Sequence, residues 1–135
     1  MLDHKHLLLM GDINTPPKNE QIAEKWIADL INILNMKALI EPKAVYCHTK
    51  GNRGLTCICA IETSHIALHI WDEPNPSKMQ LDVYTCSTLN LDSVWQMVGK
   101  FDAVNVKYKF YDREKEFKLL QETNTPIIIR NYNDN

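Results

Sequence analysis

Two neighbouring segments with strand-like alternation carry most of the side chains capable of chemistry. In residues 65–71 the set Ile66, Leu68 and Ile70 is apolar, which leaves His65, Ala67, His69 and Trp71 on the opposite parity. In residues 79–86 the apolar set is Met79, Leu81 and Val83, leaving Gln80, Asp82, Tyr84 and Cys86. Two histidines, an acid, a tyrosine and a cysteine thus share one face, where a solvated sheet would carry Thr, Lys and Glu. One chemistry open to such a set is metal ligation. His65 and His69, however, lie four residues apart on a strand, roughly 13 Å, too far to grip one ion together. Cys57 and Cys59 form no CxxC pair and read as small buried residues between Leu55 and Ile61, so no metal site is expected. The other chemistry is nucleophilic or acid–base. Ser64 occupies a tight junction between two strands, is followed at once by His65, and has His69 and Cys86 as expected neighbours. A hairpin serine flanked by strand histidines fits the same pattern, and the residues alone leave the two readings open.

The elements that must position these side chains follow from periodicity. Residues 4–10 form a short apolar run ending at Gly11, expected as a first strand. After Pro16-Pro17, the residues Ile22, Ala23, Trp26, Ile27, Leu30, Ile31 and Leu34 recur at helical spacing, with Trp26 read as core. Residues 44–47 end a second strand, and the polar stretch 48–54 with its two glycines is a loop. Strands are expected over 55–62, 65–71 and 79–86, with a Pro-containing turn over 72–78. Leu91, Val94, Trp95 and Val98 mark a second helix capped by Asn90, and residues 104–110 alternate as another strand. Beyond Asp112 the pattern suggests a short charged helix, an apolar patch at 126–129 and a polar tail. The order predicts an α+β two-layer sandwich, a mostly antiparallel sheet with two helices on one face.

Composition narrows the function classes. The 135 residues suit one domain and carry a formal charge of -2, which argues against a nucleic-acid binder working through a basic surface. No apolar run reaches the roughly 18 residues of a membrane span, and Leu7-Leu8-Leu9-Met10 is too short for a signal core. Four cysteines without a secretory signal read as reduced thiols of a cytoplasmic protein. So small a chain has little room for a deep pocket of its own.

The run Glu62-Thr63-Ser64-His65-Ile66-Ala67-Leu68-His69-Ile70-Trp71-Asp72-Glu73, followed by Leu81-Asp82-Val83-Tyr84-Thr85-Cys86, resembles the S-adenosylmethionine decarboxylases of the small prokaryotic type. Their pattern is Glu-Ser-His, three residues, His, two residues, Pro-Glu, and then Asp-(Val/Ile)-(Phe/Tyr)-Thr-Cys-Gly. Residues 54–87 carry the resemblance, and the order of elements agrees over about 4–111. A family domain over 1–111 and a C-terminal extension over 112–135 are therefore expected. The resemblance implies a self-processing enzyme that is cut between Thr63 and Ser64, leaving a pyruvoyl cofactor derived from Ser64 that forms a Schiff base with the substrate amine. It makes His69 the base that removes the α-proton during processing, Thr56 the processing hydroxyl and Cys86 the proton donor to the decarboxylated product. It assigns Glu73 to the ribose hydroxyls, with His65 beside it in the substrate-binding set. It also implies a homodimer with sites near the interface, a small-molecule substrate, and a role in spermidine biosynthesis.

The sequence departs from the family at three points. Thr63 stands in place of the glutamate before the serine, Asp72 replaces the proline before Glu73, and residues 47–56 hold no aromatic except His48 where the family stacks adenine. These departures motivate two alternatives: a pyruvoyl-dependent decarboxylase of another amino acid, such as ornithine or arginine, and an unprocessed, catalytically silent member acting as a regulatory partner.

Overall fold

Alternating apolar residues build the sheet and two amphipathic stretches cover one side of it in a computed structural model that describes residues 3–131. In chain order the elements are β1 (Lys5–Ile13), α1 (Glu20–Ile33), β2 (Lys43–Cys47), β3 (Gly54–Ile61), β4 (Ser64–Trp71), β5 (Ser77–Thr85), α2 (Leu91–Val98), β6 (Ala103–Asp112), β7 (Lys118–Glu122) and β8 (Ile127–Ile129). The sheet runs β2-β3-β4-β5-β1-β6-β7, with β8 also on β6, and the named pairings are antiparallel. This is the expected α+β sandwich.

Both helices begin where an asparagine satisfies free amides. The Asn19 side chain accepts from the Ile22 amide at 2.9 Å, and Asn90 accepts from Ser93 at 3.3 Å. Helix α1 turns Ala23, Trp26, Ile27, Leu30 and Ile31 inward, and α2 contributes Val94, Met97 and Val98. They meet Leu7 and Leu9 of β1, Ile66, Leu68 and Ile70 of β4, and Met79, Leu81 and Val83 of β5, all buried. Each such side chain contributes about 2 kcal/mol relative to exposure. Trp26 is core as expected: its Nε1 donates to the Met97 carbonyl at 2.9 Å, and its ring stacks on Phe101 at 4.7 Å between centroids.

The opposite face stays open. Leu8 and Met10 on β1 are 42% and 54% exposed, and Val45 and Ile58 are exposed on β2 and β3. His6, His65, His69, Asp82 and Tyr84 are on this face by strand parity.

Two expectations fail, each for a physical reason. The first strand does not stop at Gly11 but continues to Ile13, with a register shift against β6 between Met10 and Asp12. Gly11 fits this crowded ladder because a Cβ there would come 3.0 Å from Val106 Cγ2. The charged helix beyond Asp112 is absent: residues 118–122 and 127–129 are strands on β6. Residues 113–122 lack a helical apolar stripe, whereas the ten-residue β6 offers a long edge of backbone donors and acceptors. The apolar patch is β8. The polar tail falls, from residue 132 on, outside the described residues.

Candidate functional site

The junction between β3 and β4 is a two-residue turn, Glu62-Thr63, closed by the Ile61–Ser64 pair. Thr63 is held at φ 51°, the left-handed region, which is costly for a β-branched residue. Three side chains converge on the Glu62 carbonyl oxygen: Thr63 Oγ1 at 2.8 Å, Ser64 Oγ at 2.9 Å and Cys86 Sγ at 3.1 Å. A carbonyl has two lone pairs, so these donors compete, and a side-chain rotation that frees Ser64 Oγ leaves the carbonyl satisfied. The Ser64 hydroxyl and the Cys86 thiol, far apart in sequence, thus meet at one strained peptide.

The second group gathers at the other end of β4. Thr56 and His69 are cross-strand partners, and Thr56 Oγ1 lies 3.1 Å from His69 Nδ1. Beyond them the loop 48–53 is tied to the end of β4. Glu73 accepts from the Gly51 and Arg53 amides at 2.8 and 3.1 Å, Trp71 Nε1 donates to Asn52 Oδ1 at 2.7 Å, and Tyr46 donates to Asp72 at 2.7 Å. The Arg53 and Gly51 amides hold the Glu73 carboxyl below its ordinary value, and its remaining lone pairs can still accept. The hydrogen bond that the Tyr46 phenol donates to Asp72, with burial and the carboxylate's charge, holds the phenol above its ordinary value. Gly54 makes the close approach possible: at φ 153°, a Cβ there would lie 1.7 Å from the Ile70 carbonyl oxygen.

The expected proximity of His69 to Ser64 does not hold within one chain. Five residues of extended strand separate them by about 16 Å. Cys86 is near the serine in that both side chains donate to the Glu62 carbonyl. His69 instead lines a cavity of about 650 Å³ on the open face, with Leu8, Gln80, Asp82 and Tyr108. An adjoining cavity of about 790 Å³ is bordered by Asp12, Trp71, Glu73, Lys78 and Lys107. Either has the size of a small-molecule site. The aromatic missing from residues 47–56 has a neighbour just outside that window: Tyr46 packs on His48 with centroids 4.7 Å apart.

A third group lies between these ends. His6 Nε2 hydrogen-bonds Asp82 Oδ1, and His65 Nε2 stands 3.4 Å from the same oxygen. Arg113 donates to His6 Nδ1 at 3.3 Å and places its guanidinium 4.1 Å over the Tyr84 ring. Burial would raise the Asp82 carboxyl, but the hydrogen bonds and charges of His6 and His65 together outweigh it and lower it. Read as an apolar run, residues 4–10 conceal His6. The available signal was parity: His6, Leu8 and Met10 alternate with the buried Leu7 and Leu9.

A family model described as S-adenosylmethionine decarboxylase matches residues 12–114, more than half of the chain. The match contains the turn at Ser64, the Thr56–His69 pair, Glu73 and Cys86. This chain belongs to the S-adenosylmethionine decarboxylase family.

Proposed function

We propose that the chain is a self-processing, pyruvoyl-dependent decarboxylase of S-adenosylmethionine serving spermidine biosynthesis in the cytoplasm. The observation that carries this reading is the meeting of Ser64 Oγ and Cys86 Sγ on the Glu62 carbonyl beside the left-handed Thr63. Ser64 Oγ turns onto the Thr63 carbonyl carbon, the amide nitrogen leaves as the Ser64 amine, and an ester joins the two segments. Loss of the Ser64 α-proton to a base, the role proposed for His69, then expels the Thr63 carboxylate. Hydrolysis of the resulting enamine releases ammonia and leaves the pyruvoyl group. The residues present fit that group, because its precursor hydroxyl is already at the turn and a thiol stands beside it. When formed, its carbonyl supplies the electron sink for loss of carbon dioxide. In this reading Cys86 delivers a proton to the product carbon, and Thr56, whose Oγ1 lies 3.1 Å from His69 Nδ1, steadies that ring. Glu73 and His65 are the substrate-binding residues of this reading, with Glu73 stationed by the loop amides.

The active unit in this reading is a homodimer. The roughly 16 Å between Ser64 and His69 argues that a second copy supplies one of them. The open face, with exposed Leu8, Met10, Val45 and Ile58, offers apolar area for that contact.

The intact mass of the purified protein tests the reading. Cleavage before Ser64 yields fragments of residues 1–63 and 64–135. Ser64→Ala abolishes the cut, and Cys86→Ala preserves it while impairing turnover. A single uncut chain after long incubation overturns the proposal in favour of a silent regulatory member. Carbon dioxide release from S-adenosylmethionine, assayed beside ornithine and arginine, separates the substrate alternatives.

A further inference from the structure

We infer that His6, His65 and Asp82 form a binding site for a borderline divalent cation of the zinc class on the open face of the sheet. Three adjacent strands build it. His6 on β1 and His65 on β4 both stand opposite Tyr84 of β5, and Asp82 lies two residues along β5 on the same face. One ligand atom from each residue falls within 4.8 Å of the others. Tetrahedral ligands at about 2.1 Å from a zinc ion stand about 3.4 Å apart. The His65–Asp82 contact already measures 3.4 Å. His6 Nε2 hydrogen-bonds the same carboxylate oxygen, and the ion would take the place of the proton between them. Two imidazoles and one carboxylate suit zinc and other late first-row divalent ions, while magnesium and calcium take oxygen ligands. Three protein ligands also leave the fourth position free for water or another ligand.

Arg113 competes with the ion. Its donation to His6 Nδ1 places the imidazole proton at Nε2, the very atom that must ligate. Metal binding moves that proton and detaches the guanidinium from Nδ1, leaving it over Tyr84. The site thus holds either an arginine-backed hydrogen-bonded cluster or a cation, and the competition gives it a distinctive signature.

The test uses full-length protein stripped with chelator and titrated with Co2+, read by its visible absorption, and with Zn2+ by calorimetry. One ion per chain is expected, with a tetrahedral Co2+ spectrum. His6→Ala and Asp82→Ala should each weaken binding at least about tenfold, since each removes one of three ligands. Cys47→Ser and His48→Ala should leave it unchanged. Arg113→Met should tighten binding, which a variant that merely perturbs folding would not do. Ser64→Ala protein should bind as well as the parent, so failure of processing and failure of metal binding are read separately. No stoichiometric binding, binding indifferent to His6 and Asp82, or binding weakened by Arg113→Met overturns the inference.

Discussion

Thr63→Gly tests whether the left-handed turn residue drives processing. An L-residue held at φ 51° costs about 1–2 kcal/mol, with β-branched side chains at the upper end. Glycine removes that cost but loses roughly 0.5–1 kcal/mol through the greater freedom of its unfolded chain. In a Ser64→Ala background, which cannot be cut, Thr63→Gly should therefore raise stability by about 0.5–1 kcal/mol. For a domain of this size that amounts to a rise of roughly 2–4 °C in Tm, read by calorimetry. Cleavage should respond in the opposite sense. The acyl shift inserts the Ser64 Cβ and Oγ into the chain path after Thr63, which loosens the turn and releases its strain. Because unfolded-chain entropy does not enter a step within the folded state, the full 1–2 kcal/mol bears on the barrier, and the cut should slow by about 5- to 30-fold. The assay is the intact-mass time course of freshly folded protein. Thr63→Asn, which tolerates the left-handed region while keeping a side chain, should fall between the two. Cleavage of Thr63→Gly at the parent rate or faster, together with the expected gain in stability, would refute the idea that strain at Thr63 promotes the cut.

Other perturbations test the frame around the site. Gly54→Ala must displace the Ile70 carbonyl, so chemical denaturation should register a loss of about 2–4 kcal/mol and the loop bearing Gly51 and Arg53 should become protease-sensitive. Burial pushes the Cys57 thiol up to about 12, with nearby Glu24 and Cys59 adding to the shift. Native protein at pH 8 should therefore be alkylated at the half-buried Cys86 and Cys47 well before Cys57, as peptide mass mapping would reveal. Asp12 is held below its ordinary value by hydrogen bonds from Lys78 and Asn105. A lowered carboxylate stabilises the fold above its unfolded value near 3.8 and loses that contribution as pH falls through the folded one, so Asp12→Asn should flatten the acid limb of stability below about pH 4.

Sequence alone made most of the fold legible because the helix face is written in period. Ile66, Leu68 and Ile70 alternate without exception, and the α1 stripe from Ala23 to Ile31 is continuous. The strand at Gly11 was misjudged because glycine reads as punctuation, while here it answers a crowded neighbour, Val106, that only the folded sheet supplies. Residues 118–129 were illegible for a related reason: their strands depend on a free edge of β6, a tertiary fact without local pattern. In the site, family spacing singled out Ser64 and Cys86 but not their common acceptor, a backbone carbonyl that no sequence motif records. Of the cluster around Asp82, the alternation of residues 65–71 and 79–86 put His65 and Asp82 on one face, and only His6 was hidden, because parity on β1 was masked by the leucines around it.

The distance along β4 leads to a test of how two copies divide the work. If the base for one Ser64 comes from the His69 of a second chain, a two-fold pairing makes the arrangement reciprocal, and each dimer holds two mixed sites. Ser64→Ala chains lack the scissile serine, and His69→Ala chains lack the base, so each variant made alone should stay uncut. Co-expressed, they form about one half mixed dimers by random pairing, and in each mixed dimer one site pairs an intact Ser64 with an intact His69. The His69→Ala chain, and only that chain, should then appear cut, to about a quarter of all the sites present. The asymmetry matters, because the cut chain is the one that lacks the base. Were His69 to act within its own chain, no mixture could rescue it, and both chains would remain whole. A His69→Ala protein that cuts itself when made alone would instead remove His69 from processing altogether, leaving its bond to Thr56 to be explained by turnover.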